Sequence, residues 1–220
     1  MKKCEKAGFY PILINLERFN CIIVGGGNIA YRKIVSLLKF NAEITVISPQ
    51  IIKPILGLAG QNKVKIIKKP YSSKYLKGYR IAFSATNNQK LNETVRKDCT
   101  KKGILLNVVD NPALCDFILP ANVLRGDLTI SVSSQGKAPF FTKEMKKKID
   151  DLIPPAYKQI FSLAGRLRHE VLSDPKLTSK TRAQVFSKFS SKNWEKILEE
   201  NGKHSSKYYI DKILKEFNLS

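Results

Sequence analysis

Short apolar runs alternate with segments of helical periodicity through the first half of the chain. Runs of apolar, partly β-branched residues predict buried strands, and apolar residues three or four positions apart predict helices between them. The predicted strands are Cys21–Val24, Ile44–Ile47, Val64–Ile67, Ile81–Ser84 and Ile104–Val109. The predicted helices are Asn28–Phe40, Ile51–Ala59 and Leu91–Lys102, the last ended by Gly103. This alternation predicts an α/β fold with a Rossmann-like, doubly wound parallel sheet and right-handed crossovers.

The alternation of predicted strands and helices ends after Pro112. The short strand candidates are Phe117–Leu119, Ala121–Leu124 and Leu128–Val132, with a turn at residues 125–127. A helix follows over Pro139–Leu152, and residues 156–220 keep a helical spacing of apolar positions. We therefore expect three parts: a Rossmann domain over residues 1–112, a small β/α unit over 113–150 and a helical C-terminal domain over 151–220.

Three glycines, Gly25, Gly26 and Gly27, separate the first strand from the first helix. Glycines let the backbone turn sharply and let phosphate oxygens approach without meeting a Cβ atom. The N–H groups of the helix's first turn then bind the anion, and the small Ala30 permits close packing of helix on strand. The pattern predicts a dinucleotide site, and a glycine-rich turn without a ligand is the alternative.

Ligands of such sheets lie beyond the carboxyl ends of the strands, which gives further candidate residues. These ends are Gly25–Gly27, Ser48–Gln50, Ala85–Asn88 and Val109–Asn111. Ser48 stands where a carboxylate usually binds the ribose 2′-hydroxyl and selects NAD. No arginine adjoins it to bind a 2′-phosphate, although Lys53 is not far away, so NAD is favoured over NADP.

Two polar segments have both a chemical and a structural interpretation. Asp110, just past the fifth strand, can take a proton while a hydride leaves, or it can cap the turn before Pro112. Residues 133–136 precede a helix and can bind carboxylates with hydroxyl and N–H groups, or they can simply cap that helix.

Composition and charge narrow the class of protein. The 220 residues are 43% hydrophobic and 26% charged, as in globular proteins, and no apolar stretch is long enough to span a bilayer. The basic N-terminus is followed by no apolar signal core, so we expect a cytoplasmic protein with no membrane partner. The four cysteines, Cys4, Cys21, Cys99 and Cys115, have no metal-ligand spacing, and His169 and His204 have no convergent partner, so no metal site is expected.

The net charge of +21 has three explanations, of which a nucleic-acid partner is the first. Residues 1–150 account for +16 of it. No nucleic-acid-binding motif accompanies the charge, so we expect no nucleic-acid partner. A positive cleft that attracts a polycarboxylate substrate and a general excess of lysine are the other two explanations.

Taken together, the motifs resemble a known family over about residues 9–155. They are Phe9–Ile12, Val24–Lys33, Ala85–Asn88, Asn107–Asp110, Phe117–Ala121 and Ser131–Pro139. In order and spacing they are similar to the precorrin-2 dehydrogenase/sirohydrochlorin ferrochelatase family, which includes the amino-terminal part of siroheme synthase.

The resemblance implies NAD-dependent oxidation of precorrin-2, an anionic tetrapyrrole, to sirohydrochlorin on the route to siroheme. It also implies a homodimer, in which residues 113–150 serve dimerisation and substrate binding, and leaves open whether Fe²⁺ is then inserted. It makes Asp110 the catalytic residue. The implied cofactor residues are Gly25, Gly26, Gly27, Asn28, Ile29, Ser48, Pro49, Gln50, Thr86, Asn87, Asn107 and Val108. The implied substrate residues are Ser133, Ser134, Gly136 and Lys137.

Two other functions compete with this one. A nucleotide-sensing regulatory module would bind NAD without turnover and would leave Asp110 without a role. A nucleic-acid-binding protein would associate with DNA in a strongly salt-dependent manner.

Overall fold

Five parallel strands form the sheet of the first structural unit in the computed structural model, which describes residues 8–200 and 206–216. Their order across the sheet is β3-β2-β1-β4-β5. The strands are β1 (Asn20–Val24), β2 (Glu43–Ile47), β3 (Lys65–Ile67), β4 (Ile81–Ser84) and β5 (Leu105–Val108). The chain order reverses between β1 and β4, which is the switch point where such sheets bind ligands. The predicted Rossmann-like class is thus confirmed.

Three helices cover this sheet: α1 (Asn28–Leu38), α2 (Lys53–Gly60) and α3 (Gln89–Lys102). One apolar cluster joins α1 and α2 to the sheet and includes Ile23, Ile34 and Phe83. A second cluster joins α3 to the opposite face and includes Ile22 and Val95. β1 contributes to both clusters because alternate residues of a strand point to opposite faces. Burial on both faces explains why its sequence is continuously apolar.

The second unit begins at Pro120 and contains an antiparallel hairpin and five helices among the described residues. The hairpin pairs β6 (Ala121–Arg125) with β7 (Leu128–Val132). The helices are α4 (Pro139–Leu152), α5 (Tyr157–Ser173), α6 (Ser179–Ser190), α7 (Trp194–Glu200) and α8 (Ser206–Glu216). A core of apolar residues, including Leu167, Trp194 and Ile213, holds the C-terminal helices together. The helical interpretation of the tail is confirmed for the described residues.

Arg125 fastens the hairpin to the end of α4. Its Nε donates to the carbonyl oxygen of Ile153 at 2.9 Å, and its guanidinium also reaches the backbone oxygen and the carboxylate of Asp150. The turn that follows, at Gly126, comes close to Lys158 of α5. These contacts make the hairpin, α4 and α5 one connected structure.

Several predicted boundaries differ from the structure. Residues Phe117–Leu119 form no strand, because their polar contacts are made by a side chain: the Phe117 carbonyl accepts from the Asn107 amide. Pro120 follows and cannot donate to a sheet. The helix predicted from Ile51 begins at Lys53, since the Ile52 N–H bonds to the carbonyl oxygen of Gly26. Cys4 and His204 lie outside the described residues.

The structure divides between residues 119 and 120 into two units. The three-part division expected from the sequence stays a prediction.

Candidate dinucleotide-binding site

The first two glycines of the loop after β1 let three chain segments meet. Gly25 has φ +118°, and a Cβ atom there would collide with the carbonyl oxygen of Ala85. A Cβ atom at Gly26 would collide with the carbonyl oxygen of Gln50. The Gly25 N–H donates to the Ile47 carbonyl at 2.9 Å, which ties the loop to the end of β2. Both glycines are therefore required by the protein's own backbone.

Gly27 differs from its two neighbours. It precedes α1 with φ −94°, and a Cβ atom added to it would meet no protein atom within 4 Å. No side chain among the described residues caps this end of α1, so first-turn N–H groups, which include those of Asn28 and Ile29, have no side-chain acceptor. Unpaired N–H groups and the positive end of a helix dipole bind anions such as a pyrophosphate. Ala30 is fully buried against the sheet, as the fingerprint requires.

The end of β2 brings three predicted cofactor residues beside the glycine loop. Ser48 is largely buried, and its Cβ atom lies 3.0 Å from the position of a Cβ built on Gly26, so its side chain faces the loop. Its N–H donates to the carbonyl of Ile67 at 3.2 Å. Pro49 and Gln50 are exposed.

A buried amide that the sequence analysis missed shapes the loop after β4. Asn92 accepts hydrogen bonds of 2.7 Å from the hydroxyls of Ser84 and Thr86, and its own amide donates to the Thr86 carbonyl. Asn88 caps α3 through the N–H of Leu91. Asn87, which lies between Thr86 and Asn88, is exposed. The signal for Asn92 is its spacing with Val95 and Cys99, which puts it on the buried face of α3.

Asp110 occupies an unusual backbone conformation two residues past β5. It is exposed, and its φ of +60° lies in the left-handed region that Asn and Asp tolerate better than most other residues. Val108 and Asn107 precede it in the strand and are buried. Residues held in such conformations concentrate at functional sites, where the surrounding structure enforces them.

The segment after Asp110 is held against β5 by side chains. Asp116 forms an ion pair with Arg96 at 2.6 Å and accepts a hydrogen bond from the Leu106 N–H at 2.9 Å. The Cys115 thiol accepts from the Val108 N–H at 3.1 Å. Burial raises the pKa of this thiol, which keeps it protonated. These contacts fix the position from which Asp110 extends.

Lys33, another residue that the sequence analysis missed, reaches this edge of the sheet from α1. Its Nζ lies 5.8 Å from the centroid of the Phe83 ring on β4. Burial lowers the pKa of Lys33, while the negative charge of Asp110 partly opposes that shift. The signal was its spacing: Lys33 lies three residues after Ala30 and four before Leu37, both of which are buried.

The predicted substrate residues lie in the second unit, in the loop before α4. The Ser134 hydroxyl accepts from the Ala138 N–H at 3.0 Å and from the Thr142 hydroxyl at 2.9 Å. The Ser133 hydroxyl accepts from the N–H of Gln135. Gly136, with φ +82°, and Lys137 complete the turn and are exposed. Hydrogen bonds to Ala138 and Thr142 therefore occupy part of the hydrogen-bonding capacity of Ser134, although no side chain of the described residues caps α4 itself.

Residues 8–200 and 206–216 contain no cluster of three His, Cys, Asp or Glu side chains that could hold a metal ion. His169 is exposed and shares a hydrogen bond of 3.1 Å with the Ser173 hydroxyl one turn later on α5. Within the same part of the chain, no helix is both long enough and apolar enough to cross a bilayer.

The fold and the glycine loop define a dinucleotide-binding protein of the Rossmann type. Comparison with known families agrees, since the model of a family described as putative NAD(P)-binding matches residues 12–121. The chain belongs to this family.

Curated relatives are larger than this chain. The siroheme synthase of Psychrobacter sp. (strain PRwf-1) is 38% identical over 190 residues, which cover 86% of this chain and 37% of the relative. The siroheme synthase of Ruthia magnifica subsp. Calyptogena magnifica is 38% identical over 163 residues, 74% of this chain and 34% of the relative. The chain thus spans about a third of the length of these proteins.

A solved structure has the same fold over nearly the whole chain. It is described as SirC, precorrin-2 dehydrogenase, and superposes with a TM-score of 0.78 at 21% identity. The match covers 94% of this chain and 100% of that one, so the likeness in fold includes the C-terminal helices.

Proposed function

We propose that this protein catalyses the NAD-dependent dehydrogenation of precorrin-2 to sirohydrochlorin, a step of siroheme biosynthesis. The observation that carries the proposal is the arrangement of two groups at one sheet edge. The glycine loop with the uncapped α1 follows β1, and Asp110 follows β5. The siroheme synthase relatives and the fold shared with a precorrin-2 dehydrogenase name the reaction that would use them.

The residues around the glycine loop fit a dinucleotide. The space in front of Gly27 and the N–H groups of α1 suit a pyrophosphate, and Ser48 lies beside them at the end of β2. Exposed Pro49 and Gln50, together with Thr86 and Asn87 after β4, would line the two ends of the site. Buried Asn107 would act indirectly, because its amide donates to the Phe117 carbonyl and holds the chain near Asp110.

The reaction removes a hydride and a proton from the macrocycle. NAD held at the glycine loop would supply the hydride acceptor, so a group of the protein must take the proton. Asp110 is the base we assign to this step, because its carboxylate is exposed and its backbone is held in place by the contacts of residues 111–117. General-base catalysis of this kind is typically worth about 10²–10⁴-fold in rate. Lys33 supplies positive charge near that carboxylate.

The substrate and assembly proposals concern the second unit. Exposed Lys137 and the Ser133, Ser134 and Gly136 loop suit the carboxylates of a tetrapyrrole. None of the residues of α4 is buried, and its apolar side chains Phe140 and Leu152 are 77% and 73% exposed. We propose that a second copy of the chain covers this apolar face in a homodimer. Analytical ultracentrifugation should find a dimer that Phe140→Ser weakens.

Iron is a candidate second substrate, since siroheme requires its insertion into sirohydrochlorin. The macrocycle supplies the ligands in such a reaction, so the protein needs a proton acceptor and no preformed metal cluster. Asp110 could serve this step as well. The cytoplasm is the expected location, because dinucleotide cofactors are supplied there.

The testing experiment is anaerobic incubation of the purified protein with precorrin-2 and NAD. NADH and the macrocycle spectrum are followed, and Fe²⁺ is added in a second stage. We expect NADH to form in step with sirohydrochlorin. Asp110→Asn should lower kcat about 10²–10⁴-fold with unchanged NAD affinity, because Asn tolerates the left-handed backbone but is a far weaker base.

Exposed Asp127, in the hairpin turn of the second unit, provides the matched control. Asp127→Asn makes the same chemical change and should leave turnover intact. A folded protein that binds NAD and yields no NADH would overturn the dehydrogenase and favour a nucleotide-sensing module.

A further inference from the structure

Lys33 is a basic residue on the packing face of α1. It lies three residues after Ala30 and one before Ile34, which are both fully buried, and its own side chain is half-buried. A lysine in such a position normally lays its stem along the apolar surface and extends its ammonium group into water. Here the ammonium group lies 5.8 Å from the centroid of the Phe83 ring. The helix therefore brings a positive charge to the surface of the sheet.

The chain that carries Asp110 reaches the same end of the sheet. Phe83 is the third residue of β4, and its ring contacts Phe117 edge-on with centroids 5.6 Å apart. The Val109 N–H donates to the carbonyl of Ser84, the next residue of β4, at 3.0 Å. Val109 and Phe117 pack against the same apolar cluster that contains Phe83. Asp110 thus leaves the sheet beside the strand whose aromatic ring contacts Lys33.

The ammonium group of Lys33 has no acceptor for its hydrogen bonds within the protein. Among residues 8–200 and 206–216, no hydrogen bond or ion pair satisfies it. Burial lowers the pKa of Lys33 and the negative charge of Asp110 opposes that shift, so the two charges interact although no ion pair joins them. A partly desolvated ammonium group with three donors is costly without an acceptor. A ligand that supplies one is therefore favoured.

A positive charge at this place answers a difficulty that the substrate creates. The tetrapyrrole carries several carboxylates, and these are repelled by a carboxylate base, more strongly as water is excluded from between them. An ammonium group beside Asp110 offsets that repulsion for the carboxylate that comes nearest. We propose that Lys33 binds a peripheral carboxylate of the tetrapyrrole and so holds the macrocycle against Asp110. This contact rests on the proposed function and adds to it a substrate-binding residue in the first unit.

Binding of sirohydrochlorin to the full chain, followed by absorbance under anaerobic conditions, tests the contact without turnover. Dehydrogenation leaves the peripheral carboxylates unchanged, so the product retains every group that Lys33 could bind in precorrin-2. Lys33→Met keeps a stem of similar length and removes the charge. The Kd for sirohydrochlorin should rise about 10–100-fold, the effect of losing a hydrogen bond to a charged group, with the Kd for NAD unchanged. Lys33→Arg restores a charged donor and should recover part of the affinity.

Arg32 provides the matched control, because it is the next residue of α1 and is exposed. Arg32→Met removes the same charge and should weaken sirohydrochlorin binding less than about threefold at about 50 mM salt, and less still at about 200 mM. The loss in Lys33→Met should persist at both salt concentrations, since a partly buried pair is screened much less. Thermal denaturation of Lys33→Met, which should show no loss of Tm, excludes unfolding as the cause.

Three outcomes would overturn the contact and leave the dehydrogenase standing. They are an unchanged sirohydrochlorin affinity in Lys33→Met, equal losses in Lys33→Met and Arg32→Met, and a loss in Lys33→Met that affects NAD alone. An unsubstituted protein that binds no sirohydrochlorin would overturn both the contact and the proposed function. Tight binding of sirohydrochlorin that depends on Lys33, without turnover of precorrin-2, would support the contact and count against the dehydrogenase alone.

Discussion

The Nζ of Lys33 lies 5.8 Å from the centroid of the Phe83 ring, on the side of the sheet that α1 covers. The Phe83 ring in turn contacts Phe117 edge-on, with centroids 5.6 Å apart. An ammonium group is therefore held beside aromatic side chains, and its charge interacts with that of Asp110. Cation–π attraction offsets part of the cost of removing that charge from water.

Replacement of Lys33 by Met should stabilise the fold at neutral pH. Burial lowers the folded-state pKa of Lys33, so the unfolded chain binds the proton more tightly. The resulting cost is fully present below the folded pKa and disappears as pH rises toward the ordinary value of 10.5. Thermal denaturation at pH 7 should show a Tm higher by about 2–4 °C, and a smaller gain near pH 10.

Exposed Lys63 provides the control, since Lys63→Met should change the Tm little. We expect Lys33→Met to lower precorrin-2 turnover about tenfold, because destabilising buried charges are typically retained where function uses them. A lower Tm at pH 7 would contradict the assigned cost of burial.

Substitutions at Gly26 and Gly27 should separate folding from cofactor binding. Gly26→Ala forces a Cβ atom against the Gln50 carbonyl and should lower the Tm by several degrees. Gly27→Ala meets no protein atom within 4 Å and should leave the Tm nearly unchanged. It should nevertheless weaken NAD binding about tenfold or more, because the added methyl group faces the space assigned to the pyrophosphate. If NAD affinity were unchanged in Gly27→Ala, the pyrophosphate could not lie in front of Gly27.

Loss of the Asn92 amide should loosen the loop after β4. Asn92→Ala leaves the buried Ser84 hydroxyl without its acceptor, at a cost of about 1–3 kcal/mol. Urea denaturation should show this loss, and NAD affinity should fall as well, since Thr86 loses the same partner. Gln89→Ala, on the exposed side of α3, should change neither quantity.

Substitutions of Asp110 and Asp116 should have different effects, although the two residues are only six positions apart. Asp116→Ala removes the ion pair with Arg96 and the acceptor of the Leu106 N–H. It should lower stability by about 1–3 kcal/mol and reduce turnover with it. Asp110→Asn should lower turnover alone. Equal losses of stability in the two variants would argue that Asp110 is a structural residue.

The strands of the sheet were predictable because burial on both faces makes them continuously apolar, as in Cys21–Val24. The glycine loop was predictable because three consecutive glycines stand between an apolar run and a helical pattern, although the contacts that require two of them come from Ala85 and Gln50. Asn92 and Lys33 were missed for one shared reason: each is a polar residue on the buried face of a helix. What each one contacts lies on a different element, since Ser84 and Phe83 both belong to β4.

The error at Phe117–Leu119 has a related origin. An apolar run normally predicts a strand, but here the Asn107 side chain takes the place of a neighbouring strand. Apolar periodicity does not report such a contact, because it depends on one amide ten residues earlier.

The three glycines after β1 are under two different constraints. Related sequences from other organisms can therefore be compared at these three positions. At Gly25 and Gly26 a side chain would collide with the carbonyl groups of Ala85 and Gln50, whereas at Gly27 it would meet no protein atom within 4 Å. A descendant of this protein that no longer bound its cofactor would be expected to keep the first two glycines and to accumulate substitutions at the third. Such a sequence would mark a folded scaffold recruited to a new role.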